Sequence, residues 1–227
     1  MKRKTYIETG VLFEVIGTGE AFHSFHDLNL ILAPFVLPPA KPKIDLLDIE
    51  GMDGTLDLTE ANGEVKYLDR ELKFTFTVCP KDVLTFEERQ TVVSNALSGQ
   101  RCKITLDKDS DYYLIGRCTV DEHLCDRRLC QIVITATVAP YKLLQYETVA
   151  PFTLSNAAES IILVNRRKSV VPVITCTDAA AITFGGVTKQ LEAGSYKVLD
   201  FQLKPGNNTF TVSGSGTLTF TYQEGDL

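Results

Sequence analysis

Three small groups of side chains hold whatever chemistry this sequence could do. Asp53, Asp57 and Glu60 form the densest carboxylate cluster, and a pair of carboxylates at a defined separation is the acid and base of a glycosidase. That separation cannot be read from a stretch punctuated by Gly51, Gly54 and Gly63, and the spacing lacks the alternating carboxylates of a calcium loop. His23 and His26 stand three apart with no third ligand beside them, while His123, Cys125 and Cys130 lack the paired two-residue cysteine spacing of a zinc site. There is no nucleophile elbow and no phosphate-cradling glycine loop leading into a helix, and the whole chain has only three histidines. No enzyme, metal or cofactor is expected. Cys79, Cys102, Cys118 and Cys130 read as free thiols in strands or at their ends.

Binding is the remaining chemistry. A sugar platform commonly uses a flat aromatic with a polar handle, and this chain has no tryptophan. Phe184, Tyr196, Phe201, Phe210, Phe220 and Tyr222 are the candidates in the C-terminal part, and most of them fall on alternating core positions. A carbohydrate-binding sandwich is therefore carried as the alternative reading, and glycan binding by the C-terminal part alone would favour it. A hydrolase is the third reading; it requires activity that disappears when Asp53 or Asp57 is changed while folding survives.

The elements that position these residues are mostly strands. Leu72, Phe74, Phe76 and Val78 alternate with Lys73, Thr75 and Thr77, which sends the apolar set to one face of a sheet. Upstream, Gly51, Asp53-Gly54 and Asn62-Gly63 turn the chain at least twice before Tyr67. Between the turns, Thr55, Leu56, Asp57, Leu58 and Thr59 alternate too weakly to build a core, so a projecting arm here, at about residues 51–70, needs another surface to lie on. Pro34, Pro38, Pro39 and Pro42 predict an extended connector, and Phe35, Val36 and Leu37 within it must meet either this domain or a neighbouring subunit. Residues 82–97 predict a helix with Thr85 and Glu88 as a capping box and Gly99 as its stop. Strands follow at 102–106, 112–119 and 129–138. Pro140 and Pro151 bracket a domain boundary, and the Thr-rich remainder reads as about six short strands of a small β-sandwich. Its last two strands, 208–212 and 217–222, read as a hairpin looped by Ser213-Gly214-Ser215-Gly216.

Composition agrees with a folded chain: 227 residues, 44% hydrophobic, mean hydropathy +0.02. Against 29 acidic residues stand 23 basic ones, a net charge of −6 that argues against a general nucleic-acid surface. Glu8, Glu14 and Glu20 interrupt the apolar segment a leader peptide would need, and no run approaches the length of a membrane span.

Taken in order, His23 to Leu30, then Gly51-Met52-Asp53-Gly54-Thr55-Leu56-Asp57, then Asp69-Arg70 with the alternating strand, and finally Gly206-Asn207-Asn208 through Gly225-Asp226-Leu227 give a chain that resembles the distal tail protein family of siphophages. Glu50, Met52 and Asp69 depart from its usual pattern and leave the turns intact. The resemblance implies a mainly β protein. Residues 1–140 would form an N-terminal β-sandwich with one packed α-helix and the projecting hairpin arm, and residues 141–227 a galectin-like β-sandwich. It implies a virion structural protein of the tail tip or baseplate, made and assembled in the host cytoplasm. Six copies would form a hub ring around a central channel and join the tail tube to the host-adsorption apparatus, the arm of each lying on its neighbour. The implied partners are the tail tube protein, a tail-associated lysin or hub protein and receptor-binding proteins, with no membrane span and no direct nucleic-acid recognition. Asp53, Gly54, Asp57, Tyr67 and Arg70 are the expected subunit contacts, with Phe35 as an apolar anchor and Arg70 as a two-pronged partner for a carboxylate.

Overall fold

The computed structural model describes residues 10–61, 63–78, 85–121, 124–126 and 129–227. It is mainly β, and its contacts divide the chain into two units, Met1–Lys142 and Leu143–Leu227.

In the first unit the strands are β1 (Val11–Val15), β2 (Ala21–His23), β3 (Leu30–Leu32), β4 (Leu46–Asp48), β5 (Thr55–Asp57), β6 (Arg70–Val78), β7 (Arg101–Leu106), β8 (Tyr112–Val120), β9 (Leu124–Asp126) and β10 (Leu129–Val138). They pair antiparallel in the order β2-β1-β7-β8-β10-β6-β3, and β9 adds to β10. The period of two decides what lies inside: Leu72, Phe74 and Phe76 of β6 stand opposite Ala136, Ile134 and Ile132 of β10, and all six are buried in one core with Val11, Phe13, Ile104 and Leu114. Helix α1 (Phe86–Leu97) closes that core with Val93 and Leu97. Thr85 is its N-cap: the Thr85 hydroxyl accepts from the Glu88 N–H, and the Glu88 carboxylate accepts from the Thr85 N–H at 2.9 Å. The capping box therefore lies where the sequence places it. Residues 82–84, predicted as part of the helix, lie outside the described residues. Strands β4 and β5 belong to none of this and form a two-stranded sheet by themselves.

At the boundary is β11 (Lys142–Leu144). The second unit contains β12 (Thr148–Ser155), β13 (Glu159–Asn165), β14 (Val173–Cys176), β15 (Ala180–Phe184), β16 (Val187–Leu191), β17 (Gly194–Lys197), β18 (Gly206–Tyr222) and β19 (Gly225–Asp226). The predicted final hairpin is not there. Residues 206–222 are one continuous strand whose first half pairs with β13 and β15 and whose second half pairs with β12 and β14. It runs through both layers, β16-β15-β18-β13 and β17-β14-β18-β12, and turns the corner at Gly214 and Gly216, with φ of 143° and 78°. A side chain at Gly214 would place its Cβ 2.6 Å from the carbonyl oxygen of Ala179. These glycines serve close approach at a bend rather than a loop. Phe210 and Phe220, one on each side of the bend, meet with ring centroids 5.2 Å apart in the core of this unit.

Candidate functional site

Proline chemistry and a short apolar alternation together make the arm. The carbonyl and N–H groups of its base pair first: Pro42 bridges to Tyr67, the Lys43 N–H donates to the Lys66 carbonyl at 2.7 Å, and the Leu68 N–H donates to that of Lys41 at 2.9 Å. Further out, Leu46, Leu47 and Asp48 pair with Asp57, Leu56 and Thr55. Gly51 and Gly54, with φ of 81° and 78°, supply the tip's left-handed positions. The first limb is thus the segment after the prolines, which the sequence reads only as an extended connector; the partner of residues 55–57 lies upstream of them.

Every residue from 41 to 57 is exposed. Among the described residues, the hydrogen bonds of 44–61 stay inside the arm: the Leu58 N–H donates to the Asp45 carbonyl at 2.8 Å, the Asp45 N–H to Thr59 Oγ1 at 3.1 Å and the Thr59 N–H to Asp57 Oδ1 at 2.9 Å. Ile44, Leu46, Leu47, Ile49, Met52 and Leu56 all stand open to solvent. In β4 and β5 the register puts Leu47 and Leu56 on one face, and Leu46, Asp48, Thr55 and Asp57 on the other. The hairpin thus leaves apolar side chains uncovered on both faces.

Of the expected contact residues, Asp53 and Gly54 sit exposed at the tip and Asp57 on the second limb. Hydrogen bonds from the Thr59 hydroxyl and backbone N–H hold the Asp57 carboxyl below its ordinary range. Tyr67 is at the base, half-buried, its ring edge-on to Tyr141 at 5.8 Å. Arg70 corrects the expectation for it. It is 4% exposed, and its guanidinium donates to the carbonyls of Pro38, at 3.2 Å, and Pro140. Both acceptors lie in its own chain, and burial lowers its pKa from the ordinary arginine value. It fastens the arm's base to the end of β10 and is not open to a neighbour's carboxylate. Phe35 likewise turns inward, its ring 4.7 Å from that of Phe74. Its neighbour Val36, at 86% exposure, is the open apolar residue of the connector.

The other candidates resolve into structure. His23 Nε2 lies 3.2 Å from Asp107 Oδ1, and His23 Nδ1 accepts from the N–H groups of Phe25 and His26 at 3.2 and 3.1 Å. Asp107 Oδ2 also accepts from the Gly10 N–H at 2.5 Å, so His23, at the end of β2, is tied to the turn that follows β7. Cys102 and Cys118 are buried free thiols, whereas Cys130 is disulfide-bonded, not free. Cys79, His123 and the Cys125 side chain lie outside the described residues. Among the described residues no three His, Cys, Asp or Glu groups converge as metal ligands, and no helix is long and apolar enough to cross a membrane. Phe201, Phe210, Phe220 and Tyr222 are buried, and Phe184 stacks on Phe210 at 4.2 Å. Tyr196 also packs against this core, so all six aromatics proposed for sugar are committed to packing in or against it.

Comparison with protein-family models and with curated proteins finds no match. Among solved structures, the chain is similar to the crystal structure of the SPP1 Dit (gp 19.1) protein, described as a paradigm of the hub adsorption apparatus in Gram-positive infecting phages. The TM-score is 0.65 at 13% sequence identity, and the match covers 95% of this chain and 98% of that one. The two share a fold.

Proposed function

We propose that this protein is a structural, non-enzymatic component of a bacteriophage tail tip, and that six copies close a hub ring joining the tail tube to the host-adsorption apparatus. The observation that carries this reading is the arm: a hairpin exposed at every residue from 41 to 57, with open apolar side chains on both faces, on a fold shared with a hub adsorption protein. Draping the arm over the next copy covers surface that its own unit leaves open. A head-to-tail contact that closes by rotation repeats that gain at every subunit. The tail tube protein, a tail-associated lysin or hub protein and receptor-binding proteins are the partners this placement implies.

Mass measurement by light scattering across a concentration series, together with class-averaged micrographs, tests the reading. A ring with sixfold symmetry is the expected particle. A chain that stays monomeric at every accessible concentration, and does not assemble with tail components either, refutes it.

A further inference from the structure

Charge on this chain is segregated. Residues 44–65 contain seven carboxylates, Asp45, Asp48, Glu50, Asp53, Asp57, Glu60 and Glu64, and no lysine or arginine. Setting those seven apart from whole-chain totals of 23 basic and 29 acidic residues leaves 23 against 22, so the net negative charge resides on the arm. Whatever seats the arm has to answer that charge and offer apolar surface beside it.

The solvent face of the first unit's sheet has such a strip. Arg101 of β7 and Arg117 of β8 are directly opposite one another, both exposed, a juxtaposition of like charges that disfavours the free chain. Thr137 of β10 continues the row beyond Arg117. On the other side the Ile16 N–H donates to the Arg101 carbonyl at 2.8 Å, and the Ile16 side chain is 48% exposed. Arg117 has one internal duty: its Nη1 donates to the Gly99 carbonyl at 2.5 Å, just past α1, whose last turn has no basic residue of its own. The Arg101 side chain has neither hydrogen bond nor ion pair among the described residues. Lys103 beside it is already held by Glu14 at 3.7 Å and lies over the Tyr113 ring at 4.6 Å.

One face of the arm matches this strip. Asp48 and Asp57 share it diagonally, and Leu46 stands across from Asp57: two carboxylates and one apolar side chain, against two guanidiniums and Ile16. Resting on the ring reading above, we infer that the Leu46, Asp48 and Asp57 face of each arm seats on the Ile16, Arg101 and Arg117 strip of the neighbouring copy. Arginine suits the task because its planar fork meets a carboxylate with two parallel hydrogen bonds. The Leu47 and Leu56 face then looks away from that neighbour, toward the tail component that covers the ring.

The test uses the full-length chain, with assembly followed by light scattering. Raising salt from about 0.1 M to about 1 M, which shortens the screening length from ~10 Å to ~3 Å, weakens the ring. Arg101→Glu with Arg117→Glu weakens each contact by at least about 100-fold, and adding Asp48→Arg and Asp57→Arg restores assembly to within about tenfold. Thermal melting checks that each variant folds; if the double variant does not, Arg101→Glu alone and the salt series decide, since the Arg101 side chain has no hydrogen bond or ion pair among the described residues to lose. A wild-type ring that is indifferent to salt and to Arg101→Glu places the seat elsewhere and overturns this inference while leaving the ring reading intact. A wild-type chain that never assembles at low salt overturns both.

Discussion

Trimming Leu46 to alanine isolates the apolar part of the proposed contact. Its side chain is 54% exposed in the free chain, and full burial of a leucine contributes about 1.5–3 kcal/mol. Covering the open half is therefore worth roughly 1 kcal/mol per contact. A six-membered ring repeats it six times, so Leu46→Ala makes ring formation less favourable by about 6 kcal/mol, or between four and five decades in the overall constant. Six monomers associate in five steps, and the concentration at half-assembly rises by only about the fifth root of that factor, on the order of tenfold. Sedimentation velocity across a dilution series reads this shift directly. Because the residue touches no core, urea unfolding of the monomeric variant should match wild type within about 0.5 kcal/mol. Leu47→Ala with Leu56→Ala, on the opposite face, should leave the midpoint in place. The reasoning fails if Leu46→Ala moves the midpoint by less than threefold, roughly, or if that shift comes with a loss of monomer stability above about 1 kcal/mol.

Replacing Arg70 by methionine strands the carbonyls of Pro38 and Pro140 and should destabilise the first unit by about 2–5 kcal/mol in denaturant unfolding, whereas an interface arginine would change assembly and leave the monomer alone. Gly214→Ala forces a β-carbon against the Ala179 carbonyl at a φ of 143°; calorimetry should show a loss of about 2–4 kcal/mol in the second unit, lowering its melting temperature by about 8 °C or more. Thr85→Ala removes the N-cap of α1 and should cost about 0.5–2 kcal/mol. The Glu88 carboxyl is held below its ordinary range by the Thr85 backbone N–H and hydroxyl. Its stabilising effect is complete above the usual glutamate pKa and disappears as pH falls through the lowered value; Thr85→Ala keeps the backbone N–H and removes only the hydroxyl, so unfolding across acid pH should show that component reduced, with the backbone part remaining.

What could be read from residues alone follows from where the physics is local. The alternation of Leu72, Phe74 and Phe76 needs only neighbours to declare a buried face, and the Thr85 and Glu88 pair closes within one turn. Strand β12 was hidden because Pro151 lies within it; it survives there as an edge strand that pairs only with β18. The bend at Gly214 and Gly216 has the composition of a hairpin loop, and only the ladders continuing on either side distinguish it from one. Arg70 misled for a related reason: a long cation after a charged stretch looks exposed, and its acceptors, two proline-residue carbonyls far apart in sequence, cannot be anticipated without the fold. The upstream limb of the arm was masked in the same way, because prolines at its root read as the end of any ladder.

Strand β18 has a mechanical consequence. A sandwich whose layers are separate can open like a book, one sheet sliding off the other while each keeps its bonds. Here a single run of backbone is stitched into both leaves, between β13 and β15 and then between β12 and β14. Tension along that run loads the two leaves in shear at once, so the second unit should yield as a whole or not at all.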